Sequence, residues 1–154
     1  MARRAGDWLD GPVEPLPEGS WPGEALGLPR EGPGMIAGTG SRLLALLVDL
    51  VVGGLIGAFV FSLLQDPEEG LRATLGTGAF ALQLIVLQAL TGQSIGMRLA
   101  RLRVARLAAP DGPPGLLPVA IRTALLCLVI PAVVSDADGR GLHDKAAGTA
   151  VLRV

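Results

Sequence analysis

One carboxylate, Asp49, sits inside an otherwise apolar run of 22 residues, Leu43 to Leu64, with Arg42 at the leading edge. As an α-helix at ~1.5 Å per residue, such a run crosses a hydrocarbon core of ~30 Å. A carboxylate placed there costs roughly 2.5–3.5 kcal/mol on insertion scales, so it needs either a partner or a job. This residue makes the chain a membrane protein with an internal polar feature, and leaves open what that feature does.

Composition agrees. Half of the 154 residues are hydrophobic, only 3% are aromatic and Tyr is absent, with a mean hydropathy of +0.52. A soluble core normally carries more aromatic mass. Leu, Ala, Val and Gly instead suit helices that approach closely in lipid. The formal net charge of −1 argues against nucleic-acid binding. Cys127 is the only cysteine and His143 the only histidine, so no internal disulfide and no ordinary zinc site can form. No cofactor is implied. The first apolar run begins too late for a cleavable signal segment.

Residues 1–34 hold 6 Pro and 7 Gly with more acids than arginines. They read as a disordered tail in which Trp8 and Trp21 are either loose punctuation or a docking motif for a protein partner. The spacing then predicts three apolar helices, at about 41–64, 71–90 and 116–134, the last interrupted by Pro118 and Pro131. Gly53 and Gly57 form a GxxxG face on the first helix, offered either for close helix packing or for self-association into a homo-oligomer. Gln83 and Gln88 fall in the second helix and are expected to hydrogen-bond a neighbour or to line a path.

Between the second and third runs, Thr91 to Leu107 carries Arg98, Arg101, Arg103 and Arg106. Ile95, Leu99 and Leu102 fit one face of a short amphipathic helix at the membrane surface. The segments near Leu102–Leu107 and Thr149–Val154 resemble two short strands that could pair. The arginine bias places this loop and the N-terminus in the cytoplasm of a multi-pass cell-membrane protein, and the acidic loop at 65–70 outside. For the C-terminus the signals conflict: a single crossing by the third run would place it outside, whereas Arg140, Lys145, Arg153 and the strand pairing favour the cytoplasm, with the third run bending back near Pro131.

Arg42 and Asp49 share a helix face, but about 10 Å of axial rise separates them. Asp49 therefore needs a partner from elsewhere: Arg122 is the obvious candidate, and Gln83 or Gln88 could donate. Arg42 could snorkel to lipid phosphate or reach Asp136, Asp138 or Asp144.

These residues resemble the RDD family of membrane proteins, named for one arginine and two aspartates. The match lies in GTGSRLLALLVDLVV (Gly38 to Val52), GQSIGMRLARLRV (Gly92 to Val104) and GRGLHDKAAGTAVL (Gly139 to Leu152), in order over residues 36–154. The resemblance implies Arg42, Asp49 and Asp144 as the motif residues. Gln93, Gly96, Arg98 and His143 stand beside them, with Arg122, Gln83 and Gln88 as supporting polar groups. It further implies an all-α membrane protein of bacterial type, with transport of a small ligand or cation/proton exchange as the proposed activity. In that reading Asp49 is the exchange site. The competing reading is a structural or assembly partner that holds other proteins at the membrane. An enzyme is not expected: His143 and Asp144 are merely adjacent, and no phosphate-binding loop follows a strand.

Overall fold

The computed structural model describes residues 18–64, 68–109, 112–128 and 140–154. Within them the chain is mostly helical, with five α-helices and one two-stranded sheet. Helix α1 spans Thr39–Ser62 and α2 spans Glu69–Thr91. Both are long and apolar enough to cross a membrane.

The burial pattern of α1 is the reverse of a water-soluble helix. Its buried residues are Ala45, Asp49, Gly53 and Gly57, a stripe at four-residue spacing that is small or polar throughout. Leu44, Leu47, Val51, Leu55 and Phe59 point away from the protein. A helix in water buries its large apolar side chains; one in lipid can leave them outside and bring small residues together. The glycines set the α1–α2 distance. A side chain on Gly53 would run into the backbone of Phe80, and one on Gly57 into the backbone of Leu75 and Gly76. The GxxxG face expected to serve either packing or self-association is thus filled by α2 of the same chain. It is not available to a second copy.

After the left-handed cap at Gly92, helix α3 covers only Ile95–Leu99. Strand β1, Leu102–Arg106, follows. This corrects the single amphipathic face through Ile95, Leu99 and Leu102: Leu99 is exposed, whereas Leu102 is buried within the sheet layer. Helix α4 (Leu116–Cys127) has 12 residues, about 18 Å of rise, too short to span. The remainder of the third apolar run, including Pro131, lies outside the described residues, as do Asp136 and Asp138. Helix α5 (Leu142–Ala146) and strand β2 (Thr149–Arg153) complete the chain.

Strands β1 and β2 pair antiparallel, with Leu102 opposite Arg153, Val104 opposite Val151 and Arg106 opposite Thr149. Ile36 bridges to Leu152, and Ala37 N–H donates to the Val151 carbonyl at 2.9 Å. The segment entering α1, the segment leaving α2 and the C-terminal strand therefore meet at one end of the helix pair. Strands β1 and β2 thus lie together at that end, as the expected strand pairing had them.

The sheet separates two cores. One face, through Leu102, Val104 and Val151, packs on Ala37, Ala45 and Met97. The other, through Ala105, Ala150 and Leu152, packs on Ile36 with Leu26, Leu28 and Leu107. Residues 18–34 thereby depart from the disordered tail expected of them. A 3-10 turn forms at Glu24–Leu26, Trp21 Nε1 donates to the Leu28 carbonyl at 2.9 Å, and Gly34 N–H donates to Arg153 at 2.8 Å. Trp21 closes this cap; Trp8 lies outside the described residues.

Candidate functional site

Asp49 is buried on α1, facing the N-terminus of α3. Its Oδ1 accepts the Gly96 N–H at 2.8 Å and its Oδ2 accepts the Ser94 hydroxyl. The Ser94 oxygen in turn accepts the Met97 N–H at 3.2 Å, capping the short helix. First-turn N–H groups have no partner within their own helix, and here Asp49 and Ser94 accept from those of Gly96 and Met97. Gly96 is needed for a second reason: any side chain there would overlap the Ala45 carbonyl of α1.

The expected partners of Asp49 are thereby reassigned. Arg122 does not hydrogen-bond Asp49. Gln83 donates to the Asp49 backbone carbonyl at 2.7 Å, not to the carboxylate. Gln93 reaches β1, donating to the Leu102 carbonyl at 3.0 Å.

Arg122 belongs to the second aspartate. Asp144 is fully buried in the first turn of α5. Arg122 Nη1 lies 2.5 Å from its Oδ1, Thr149 Oγ1 donates to the same oxygen at 3.2 Å, and Arg42 Nη1 stands 3.9 Å from Oδ2. His143 Nε2 is 3.4 Å from Oδ2. Arg42 also points Nη2 at the Val151 carbonyl of β2, 3.5 Å away. Of the three acids weighed for Arg42, Asp144 is the one among the described residues, and Arg42 faces it. This cluster ties α1, α4, α5 and β2 together. A buried carboxylate and a buried guanidinium are each costly alone, and here each meets the other in hydrogen-bonding geometry.

The two clusters face a common cavity of about 50 Å³, room for a few water-sized groups. Arg42, Asp49, Gln88, Arg122 and His143 supply its polar wall, and Leu46, Leu84, Met97 and Leu126 its apolar wall. Gln88 is completely buried, and neither its amide nitrogen nor its oxygen has a hydrogen-bond partner among the described residues. The Arg122 Nε and Thr123 Oγ1 are likewise without one. Buried polar groups are nearly always satisfied, so this wall has donors and acceptors to spare.

Of the residues singled out from sequence, Arg42, Asp49, Gln88, Arg122, His143 and Asp144 converge here. Arg98 does not: it is exposed on α3. Ser94 and Thr149 were missed. Ser94 carried a readable signal, a serine directly before a helix start; Thr149 carried none.

A model of the RDD family matches residues 36–148. This range contains Arg42, Asp49 and Asp144, and Arg42 and Asp144 are in contact although 102 positions separate them. No curated protein and no solved structure matches the chain. The match covers well over half of the sequence, and the chain belongs to the RDD family of membrane proteins.

Proposed function

We propose that this membrane protein moves a small ligand across the cell membrane, with cation/proton exchange as its leading form, and that the cavity between Asp49 and Arg122 is where it acts. The observation that carries this reading is Gln88. A fully buried amide with both atoms unengaged is an expensive choice for a wall that only has to pack. It stands beside an intramembrane carboxylate.

Asp49 is suited to couple proton binding to movement. As a carboxylate it accepts from Ser94 and Gly96 together. A proton on Oδ1 would face the Gly96 N–H donor, and one on Oδ2 would make the Ser94 hydroxyl turn from donor to acceptor. The grip on α3 then loosens, and with it the connection from α2 into the sheet. Two long helices and one short one enclose no pathway on their own, so the active form in this reading is a homo-oligomer that meets through lipid-facing side chains. The arginine-rich sheet end, with both termini, lies in the cytoplasm, and the activity is not enzymatic.

The test is a pH-gradient assay in everted membrane vesicles. Sodium or potassium is added to wild type, to Asp49→Asn at matched expression and to vesicles lacking the protein. Cation-triggered collapse of the gradient in the wild type alone is expected. Wild-type traces that match the empty vesicles would remove cation/proton exchange.

A second reading keeps support from one observation: both Asp49 oxygens are already engaged in holding α3. That is what a purely structural residue does, and it fits an assembly partner that displays its sheet end to other proteins. Co-purification with and without residues 1–17, which leaves the sheet-packed segment from 18 to 34 in place, distinguishes this reading, since an assembly partner that docks through its tail loses its bound protein when the tail is removed.

A further inference from the structure

The basic residues at the sheet end are not spread evenly. The turn from α3 to β1 is closed by the Arg101 N–H donating to the Arg98 carbonyl at 3.3 Å. The Val154 N–H then donates to the Arg101 carbonyl at 2.9 Å, which places Arg153, paired in register with Leu102, beside that turn. Strand pairing thus brings a C-terminal arginine to two loop arginines more than fifty positions earlier. All three are exposed, and none has a carboxylate partner among the described residues. The nearby turn that delivers Gly34 to Arg153 carries one charge of each sign, Arg30 and Glu31, so it does not neutralise the group.

The backbone adds a second observation. Arg101 has φ 54, the only non-glycine among the described residues with positive φ. Glycine or asparagine would adopt that region more easily. Strain of this kind gathers at binding sites. Here the backbone of an exposed arginine carries it. Beside it Leu99 is 73% exposed, and Leu90, at the same end of α2, is 72% exposed. Positive charge above bare leucines at the end of two spanning helices has the layout of a lipid interface: phosphates outside, acyl chains within.

We infer that Arg98, Arg101 and Arg153 form a docking site for the headgroup of an anionic phospholipid. Guanidinium forks match phosphate oxygens in pairs, and no other exposed group in this patch offers that geometry. The positive-inside bias alone requires arginines on this side; it does not require strand pairing to bring a third, from the C-terminal strand, beside a turn that already carries two, one in a strained backbone. The inference is independent of what the cavity carries.

The test uses the full chain in detergent. Thermal unfolding is followed with added short-chain phosphatidylglycerol, with short-chain phosphatidylcholine, or with glycerol phosphate alone. At about 1 kcal/mol per basic residue, each arginine contributes roughly fivefold in apparent affinity. Phosphatidylglycerol should stabilise the protein, and the variant Arg98→Gln, Arg101→Gln, Arg153→Gln should lose more than about tenfold of that affinity. Because Arg101→Gln keeps the strained backbone, the single variants Arg98→Gln and Arg153→Gln are measured too. Each should lose part of the effect while melting normally without lipid. Arg72→Gln, at the opposite end of the helices, should change nothing. Equal stabilisation by phosphatidylcholine, equal protection by glycerol phosphate, or an undiminished response in the triple variant would each overturn the proposal.

Discussion

The two aspartates of the family motif are both buried, yet they are held in opposite ways. Asp144 is held by charge: one arginine in contact, a second at 3.9 Å and a histidine beside it, drawn from α4, α1 and its own helix. Asp49 is held by dipoles: a hydroxyl and a backbone N–H, both from the single turn that opens α3. Removing the Asp144 carboxylate would leave Arg122 buried without its hydrogen-bonded countercharge. The Asp49 oxygens hydrogen-bond only dipoles, with the Arg122 guanidinium a more distant charged neighbour across the cavity. On the proposed reading the motif divides its labour, with Asp144 building the fold and Asp49 free to respond.

That division can be broken most forcefully at Asp144. Asp144→Asn leaves Arg122 buried without a countercharge, a loss of about 3–5 kcal/mol. The expected outcome is little folded protein in the membrane, read by yield and by elution from a sizing column in mild detergent. Next in size is the α1–α2 contact. Gly57→Ala forces apart two backbones with no flexible side chain to yield, at about 1–3 kcal/mol, seen as a lowered melting temperature. Asp49→Asn should cost less, about 1–2 kcal/mol, because an amide still offers one acceptor to Gly96 or Ser94. It should fold and insert while losing any cation-driven flux. Ser94→Ala removes a cap worth about 1 kcal/mol, with partial flux retained. Last comes Arg42→Lys, of similar size. The charge 3.9 Å from Asp144 is kept and the donor that reaches the Val151 carbonyl is lost, so the change should be about 1 kcal/mol by the same melting assay.

Helices α1 and α2 were legible because membrane insertion demands long uninterrupted apolar runs, and Gln65 to Gly70 breaks them once. The strand pair was legible because Thr149 to Val154 carries a β-branched alternation and the arginine bias needed both segments on one side. Asp49 was conspicuous for the same reason that makes it costly. Its partners were not. A backbone N–H leaves no mark in a sequence, and Ser94, readable as a helix cap, carries no sign that its hydroxyl also reaches a carboxylate 45 positions earlier. Arg122, expected at Asp49, hydrogen-bonds Asp144 and acts on Asp49 only as a charge at longer range, because two buried acids compete for one guanidinium and only the approach of α5 to α4 decides between them. The GxxxG was readable as a contact, but glycines carry no information about whether the neighbour is α2 or another molecule. The order in residues 18–34 escaped because a Pro/Gly-rich segment can still bury Leu26, Leu28 and Ile36 when a sheet face is offered to it.

The division of labour is tested most directly by a double-mutant cycle on the buried pair. Unfolding in mild detergent would be measured for Asp144→Leu, Arg122→Met and the two combined, with Asp49→Asn added to each background. If Asp144 exists to neutralise Arg122, the combined variant is more stable than Asp144→Leu alone, and Asp49→Asn subtracts the same small amount from every background. A combined variant as damaged as the sum of its parts, or an Asp49→Asn effect that changes sharply when Arg122 is removed, would contradict the account and make Asp49 part of the same charge network.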